Sequence, residues 1–170
     1  MSVISFPATL KIRSLTWSQI RLDSAFTSAF GSQGVEIAAP LWGAALEAEP
    51  MNEISSGAWQ ALLMQLRGQT NQLSLWNIAR PAPLGTMRGT MTLNIAAAQG
   101  DTTLSIIAAT QAATTLKAGD LLGLGSGTTQ QVVMVMADAT ANGSGVISVT
   151  IEPPLRNGHL IAAAVTWDKP

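Results

Sequence analysis

The chain has 170 residues, of which 47% are hydrophobic and only 11% are charged, with a formal net charge of −1. Its nine basic residues are scattered singly, which argues against an electrostatic surface for nucleic acid or for an anionic membrane. An ordinary soluble domain has about 25% charged residues, so we infer that partner subunits cover much of this surface. A surface rich in Thr, Ser and Gln that is soluble without charge is the alternative.

The sequence gives no sign of export or of a covalent framework. The amino-terminal segment lacks the basic region and apolar core of a signal peptide. The longest uncharged run, residues 121–137, contains too many glycines and polar residues for a membrane-spanning helix. With no cysteine there is neither a disulfide framework nor a thiolate metal site, and we expect synthesis in a reducing compartment.

The first segments in chain order are predicted to be strands. Residues 3–20 alternate, with Leu10, Ile12 and Leu15 on one face and Lys11 and Arg13 on the other, which is typical of a strand with one side in a core. Residues 22–32 are rich in turn-forming residues but carry two phenylalanines, which indicates a loop that docks on another surface. Residues 35–50 and 72–79 are predicted to be further strands.

Residues 52–68 have the only sustained helical periodicity. The apolar residues of this segment fall at i, i+3, i+4 and i+7 and form one stripe that a flat surface must cover: Trp59, Leu62, Leu63 and Leu66. Asn52 suits the amino-terminal cap and Glu53 the first turn, while Arg67 and Gly68 suit the carboxyl end. We predict a single helix that covers a β-sheet or β-barrel.

A boundary is predicted near residues 80–85, where two prolines and a glycine interrupt regular structure. Beyond it, short strands are predicted at 91–96, 103–107, 121–124, 131–136 and 146–151, with glycine-containing turns between them. Residues 160–170 again show the side-chain alternation of a strand. This segment is expected to return to the first half of the chain. The predicted fold is therefore mainly β (α+β). Residues 1–83 plus 161–170 form a β-barrel or sheet domain covered by the helix, and residues 84–160 form an inserted small all-β module.

Residues suited to catalysis are sparse. The single histidine, His159, has no nucleophile-elbow sequence beside it and is interpreted as a surface turn residue. Glu47 and Glu49 share a strand face and could form an acid–base pair of a hydrolase, but that face is opposite the apolar one, which favours solvated glutamates. No run of acidic residues has calcium-loop spacing. We therefore assign no catalytic, cofactor-binding or metal-binding residue and expect no cofactor and no enzymatic activity.

Two glycine-containing segments resemble known motifs. The run from Gly123 to Gly127 is superficially like a phosphate-binding loop, but a strand follows it where a nucleotide site needs a helix, so a hairpin turn is the better interpretation. Asn142-Gly143-Ser144 fits the glycosylation pattern, yet Asn-Gly between strands is first a tight-turn signal.

The five tryptophans have two possible roles. Exposed aromatic platforms bind sugars or single-stranded nucleic acid. Trp42, Trp59 and Trp76 flank or lie in the helix, which favours packing beneath it, whereas the roles of Trp17 and Trp167 stay open. A carbohydrate-binding β module that uses Trp17 or Trp167 is therefore the alternative function.

The order of motifs from about residue 41 onward resembles a known family. It begins with Trp42 in an alternating strand, Pro50-Met51, a capped helix ending in Leu66-Arg67-Gly68, and Leu75-Trp76. It continues with the Lys-Ala-Gly-Asp turn at 117–120, the apolar strand at 132–135 and the Pro-Pro-Leu-Arg stretch at 153–156. This order is similar to that in distal tail proteins and related minor tail proteins of long-tailed bacteriophages, whose inserted β module opens and closes with such segments.

The resemblance implies a structural function in the virion. Such proteins form a ring that joins the tail tube to the baseplate hub and fibres without catalysis, nucleic-acid contact or membrane insertion, and tail symmetry implies six subunits. The resemblance further implies synthesis in the bacterial cytoplasm. Asp120, Pro153 and Pro154 match the module's motif and are assigned turn and strand-end roles, with Asp120 a backbone-binding turn residue. Arg156 is expected to pair across a subunit interface or locally. Relatives continue beyond the position of Trp167, so either the last strands are absent here or a neighbouring subunit completes the barrel.

Overall fold

The computed structural model describes residues 2–7, 9–68, 70–108 and 110–170, without the side chain of Thr128. It confirms a mainly β fold with a closed barrel and, in the described ranges, a single α-helix. Met1, Ala8, Gln69 and Ala109, which belong to the expected segments, lie outside the described residues. In chain order the elements are β1 Val3–Ser5, β2 Ile12–Ser28, β3 Gly31–Ala48, α1 Glu53–Leu66, β4 Gln72–Ser74, β5 Met91–Leu93, β6 Thr103–Ile107, β7 Thr115–Leu116, β8 Leu121–Leu124, β9 Gln131–Val135, β10 Ala139–Thr140, β11 Val146–Glu152 and β12 Ala164–Thr166.

Six strands close the barrel in the order β11-β6-β5-β12-β8-β9, and every neighbouring pair is antiparallel. Alternation decides which side chains face inward: in β11, Ile147, Val149 and Ile151 are buried while Ser148 and Thr150 are exposed. Apart from Leu10, Leu62 and the prolines Pro40, Pro83 and Pro170, the buried apolar side chains of the described chain lie between Met87 and Val165. The hydrophobic core is therefore the interior of the barrel.

The last strand closes this barrel. Val165 of β12 pairs with Met91 on one side and with Leu124 on the other, and its side chain is buried in the core. The expectation that residues 160–170 return to the first half is therefore wrong, because this apolar strand is needed between β5 and β8. One chain completes the six-stranded barrel without a neighbouring subunit.

Strands β2 and β3 form an antiparallel hairpin of unusual length. They have 17 and 18 residues and stay paired from Ile12–Ala48 to Ser28–Gly31, with register shifts near Leu22. The loop expected at residues 22–32 is wrong. Strand β2 stays paired with β3 as far as Ser28, and only residues 29 and 30 form the turn.

Helix α1 has the predicted caps. The Asn52 side chain accepts a hydrogen bond from the Ser55 N–H at 2.9 Å, and Arg67 ends the helix in the left-handed conformation with φ 48°. Leu62 is buried, but Leu63 is 61% exposed and does not belong to the buried stripe, contrary to expectation. The structure describes no helix with both the length and the apolar character that crossing a membrane requires.

Beside the helix, β1 and β4 form a parallel pair. Phe6 follows β1 directly, and its ring lies edge-on to the Trp59 ring with 5.7 Å between the ring centroids. Strand β4 ends at Ser74, so the strand expected over residues 72–79 is shorter than predicted. The Asn71 side chain holds the end of the helix by donating to the Gln65 carbonyl at 2.9 Å.

Candidate functional site

The long hairpin is attached to the barrel at two points. The Trp42 indole N–H donates to the carbonyl oxygen of Val132 in β9 at 2.7 Å. Arg21 forms an ion pair with Glu152, at the end of β11. The base of the hairpin therefore lies against the barrel, while its outer part extends beyond Arg21.

A cleft of about 440 Å³ lies between the hairpin base, the β4 segment and the barrel. Its size falls within the range of roughly 300–1,000 Å³ that is usual for ligand pockets. Most of its lining is apolar: Val3, Trp17, Pro40, Leu41, Trp42, Ala44, Leu46, Leu73, Leu75, Trp76, Val132, Pro153 and Pro170. The cleft thus offers an apolar surface to an extended segment or to a small ligand.

Two tryptophans form the hairpin side of the cleft. The rings of Trp17 and Trp42 are edge-to-face, with centroids 6.3 Å apart and planes at 87°. Both residues are half-buried. The Trp17 indole nitrogen is buried without a hydrogen-bond partner among the described residues, whereas that of Trp42 is satisfied by Val132.

The charged residues that line the cleft are both basic. Arg156 donates to the Gln130 carbonyl oxygen at 3.1 Å, and the Lys169 ammonium lies 5.8 Å from the centroid of the Trp76 ring. Within the described part of the chain, neither group has a carboxylate at ion-pair distance, and neither Asp nor Glu lines the cleft. The cleft is therefore apolar with an unneutralised basic rim.

Beyond Arg21 the hairpin forms an arm, residues 22–38, that projects with little cover. Every residue of the arm is exposed except Ser24, which is half-buried. Phe26 is 66% exposed and Phe30, at the turn, is fully exposed, and Leu22, Val35 and Ile37 are exposed as well. At about 3.3 Å per residue the arm is roughly 23 Å long. An apolar surface of this extent on one element is typical of an interaction site.

The arm also has an acidic side. Asp23 pairs directly with Glu36 across the two strands, and residues 22–38 contain no Lys or Arg. Like charges directly opposite each other destabilise a β-ladder. Within the described chain, no basic side chain forms an ion pair with Asp23 or with Glu36. The arm is thus amphipathic and complementary in charge to the basic rim of the cleft.

Open strand edges accompany these surfaces. Strands β2 and β3 form a two-stranded sheet, as do β1 and β4, so within the described residues each of these strands has one unpaired edge. A two-stranded ribbon is marginally stable in water, and an unpaired edge favours association with another chain.

The candidate catalytic residues lie apart from the cleft. Glu47 is exposed and accepts a hydrogen bond from the Ser14 hydroxyl at 2.8 Å, and Glu49 is exposed after the end of β3. Both are solvated, as predicted. In the part of the chain that the structure describes, no group of three His, Asp or Glu side chains could hold a metal ion.

His159 is not a surface turn residue, so that prediction is wrong. Its backbone forms a bridge with Ala97, with hydrogen bonds of 2.8 and 2.9 Å. The ring lies near Gly125, where a Cβ atom would be 3.2 Å from the histidine Cε1. The ring is held between these two segments, and its Nε2 is buried without a partner among the described residues.

The predicted turns are confirmed. Residues 125–130 connect the antiparallel strands β8 and β9, and Gly125 has φ of 78°, so the glycine run is a hairpin connection. In the Asn142 turn, the side-chain oxygen accepts hydrogen bonds from the Ser144 and Val146 N–H groups. Both motifs thus have conformational explanations.

Asp120 is a backbone-binding turn residue, as predicted. Its buried carboxylate accepts hydrogen bonds from the N–H groups of Leu84, Gly85 and Lys117 at 2.6, 3.1 and 2.7 Å. Arg80 approaches the same carboxylate at 3.8 Å. Asp120 therefore joins the segment before β5 to the turn before β8.

The Pro-Pro-Leu-Arg stretch is fixed by a buried glutamine that sequence reasoning missed. Gln131 donates to the Pro154 carbonyl at 2.9 Å and accepts from the Arg156 N–H at 2.7 Å. Pro153 and Pro154 follow the end of β11, as expected. The Arg156 side chain donates to the Gln130 carbonyl oxygen and forms no ion pair within the described residues, so the expected local pairing is not found.

The expectation that Trp42, Trp59 and Trp76 pack beneath the helix is wrong for Trp42 and Trp76. Trp59 packs on Phe6, whereas Trp42 and Trp76 line the cleft. Trp17, left open by the sequence, joins them there. Trp167 is half-buried, donates to the Gly89 carbonyl at 2.7 Å and has Arg88 over its ring.

No protein-family model matches the sequence, and comparison with curated proteins gives no significant match.

Proposed function

We propose that this chain is a structural subunit of the tail tip of a long-tailed bacteriophage, where it forms a homo-oligomeric ring of six subunits. The ring joins the tail tube protein to the tail hub and to other baseplate or fibre proteins. In this proposal the protein is made in the host cytoplasm, resides in the virion, binds no cofactor and catalyses no reaction. It needs no contact with nucleic acid and no insertion into a membrane.

The observation that carries this proposal is the exposed apolar arm. A subunit that stayed monomeric would leave Phe26, Phe30 and Val35 in water on a ribbon with unpaired edges. Burial against neighbouring subunits removes both costs at once. The low charged fraction of 11% also supports assembly, because a surface buried between subunits does not need charge for solubility.

The specific assignment to a phage tail tip rests on the resemblance of the sequence motifs. The buried Asp120 in the Lys-Ala-Gly-Asp turn and the Gln131 clamp on the Pro-Pro-Leu-Arg stretch give these motifs structural roles. These contacts hold segments of the barrel together, which is in keeping with a structural subunit.

Light scattering coupled to chromatography tests the ring. We expect one oligomeric species whose mass is a whole multiple of 17.7 kDa, and electron microscopy should show a closed ring. Labelled antibodies on intact particles should then mark the end of the tail. A stable monomer across the concentration range would refute the ring.

A carbohydrate-binding module is the second candidate. Trp17 and Trp76 line the cleft beside the amide side chains of Gln72 and Gln130, a combination of aromatic and polar groups that suits sugars. A glycan array is the appropriate screen, with Trp76→Ala as the loss-of-binding variant. Absence of binding on the array would remove this candidate.

A further inference from the structure

We propose that the arm of one subunit, residues 22–38, docks into the cleft of the next copy of the same chain. This inference rests on the proposed ring and specifies the contact that builds it. The arm and the cleft are two different surfaces, so the contact is head-to-tail, the type of interface that closes into rings.

Charge complementarity identifies the occupant of the cleft. The arm carries two carboxylates, Asp23 and Glu36, and no base. The cleft is lined by two basic side chains, Arg156 and Lys169, and among the described residues by neither Asp nor Glu. None of the four groups forms an ion pair within the described part of the chain. Docking brings the two sets of opposite charge together, which favours the correct partner and the correct register.

The apolar side chains of the arm and the apolar lining of the cleft are complementary as well. The exposed Phe26 and Phe30 side chains need an apolar environment, and the cleft offers one formed largely by Trp17, Trp42, Leu73 and Leu75. A space of about 440 Å³ is large enough for aromatic side chains from one hairpin end. Aromatic anchors in a pocket with a charged rim are the usual pattern of a strong interface.

A chain cannot fill its own cleft with its own arm. Leu41 and Trp42, at the base of the hairpin, already line the cleft, and from there the paired strands extend to the turn at residues 29 and 30. The ladder is paired as far as Ser28 and Gly31, so the tip cannot fold back without breaking it. The tip must therefore reach a cleft on another copy.

The cysteine-free chain permits a direct test by disulfide cross-linking. Phe30→Cys is placed in one chain and Gln130→Cys, in the cleft lining, in a second chain of different mass. After mixing and mild oxidation we expect the mixed dimer, identified by mass spectrometry of the linked peptides. Its yield should exceed by about tenfold that of a control pair with Ser144→Cys, an exposed turn residue that does not line the cleft.

Charge exchange tests the electrostatic part. Asp23→Lys with Glu36→Lys, or Arg156→Glu with Lys169→Glu, should each raise the dissociation constant about tenfold, and mixing the two variants should restore association. Lys11→Glu with Arg13→Glu is the matched control, since these exposed bases do not line the cleft. Circular dichroism of each variant verifies the fold.

The outcomes separate the docking from the ring. A ring without the mixed disulfide overturns the docking and leaves the ring standing. The mixed disulfide in open chains confirms the docking and overturns the ring. A wild-type monomer at all concentrations overturns both, and glycan binding by that monomer would assign the cleft to a sugar.

Discussion

The indole nitrogen of Trp42 lies 2.7 Å from the carbonyl oxygen of Val132, so a side chain of the long hairpin is hydrogen-bonded to barrel strand β9. The same indole packs edge-on against Trp17. This contact fixes the base of the hairpin on the barrel and forms one side of the cleft. Among the described residues, the polar contacts that attach the hairpin to the barrel are this hydrogen bond and the Arg21–Glu152 ion pair.

Replacing Trp42 with Phe should loosen the hairpin. The variant removes the bond to Val132 and leaves this carbonyl without its indole donor, at a cost of about 1–2 kcal/mol in the free energy of unfolding. Hydrogen exchange should quicken in the base of the hairpin. Trp167→Phe is the control, because it loses a bond of equal length to Gly89 away from the hairpin. If the backbone amides at the base of the hairpin exchanged equally fast in both variants, the anchoring role of Trp42 would be contradicted.

Asp120→Ala should destabilise the barrel strongly. The substitution removes an acceptor shared by three buried or half-buried backbone N–H groups, at a cost of about 3 kcal/mol in the free energy of unfolding. Urea denaturation measures the change. Asp101→Ala, which loses a single bond from the Ala98 N–H, should cost about 1 kcal/mol. If both variants lost a similar amount of unfolding free energy, the three hydrogen bonds of Asp120 would contribute no more to stability than the single bond of Asp101.

Two Gly-to-Ala substitutions should change the free energy of unfolding in opposite directions. At Gly85 a Cβ atom would lie 2.2 Å from the Thr115 carbonyl oxygen, so Gly85→Ala should lower the free energy of unfolding by about 2–4 kcal/mol. At Gly57, inside α1, nothing lies within 4 Å, and Ala should raise it by about 0.5–1 kcal/mol. Thermal unfolding of both variants checks the signs, and a stabilised Gly85→Ala would refute the steric argument.

Asp138 should make stability depend on acid pH. Its hydrogen bond from the Lys117 ammonium, and then that from the Ala118 N–H, lower the pKa of this carboxyl below its ordinary value of 3.8. A lowered pKa contributes stability that is present above the ordinary value and is lost as the pH falls through the lowered one. Asp138→Asn should therefore have a lower free energy of unfolding than the wild type at neutral pH. This difference in unfolding free energy should shrink below about pH 4. A pH-independent difference would point to a cause other than ionisation.

Local patterns predicted several elements well. Strands 103–107 and 121–124 have the predicted bounds, and the capping residues around Asn52 and Arg67 located the helix to within two residues at each end. These elements are determined by alternation, periodicity and caps, which act within a few residues along the chain. Asp120 was assigned correctly for the same reason, since an Asp in a Gly-Asp turn binds nearby backbone.

Long-range pairing was harder to predict. The segment 22–28 has turn-forming residues, but pairing with β3 makes it a strand, and tertiary context overrides such propensities. The pattern around Val165 is compatible with a strand in either half of the chain. Only its pairing with both β5 and β8 in the barrel distinguishes the two possibilities.

The cleft was not predictable as a unit, because its walls come from the hairpin, the segment after α1 and the barrel. Arg156 was identified by its motif and Trp17 was left open, but nothing local in the sequence places them together. Gln131 gave no signal either, since a buried glutamine in an apolar strand is distinguished only by its contacts with Pro154 and Arg156.

The position of β12 between β5 and β8 has a consequence for biosynthesis. Ribosomes add about 5–20 residues per second, and β12 is made last of the six barrel strands, some seventy residues after β5. Until residues 164–166 emerge, β5 and β8 each present an open edge to other nascent chains. Folding of the barrel therefore cannot be completed before residues 164–166 have left the ribosome, and a chain that stalls earlier leaves these two edges unpaired and prone to aggregation.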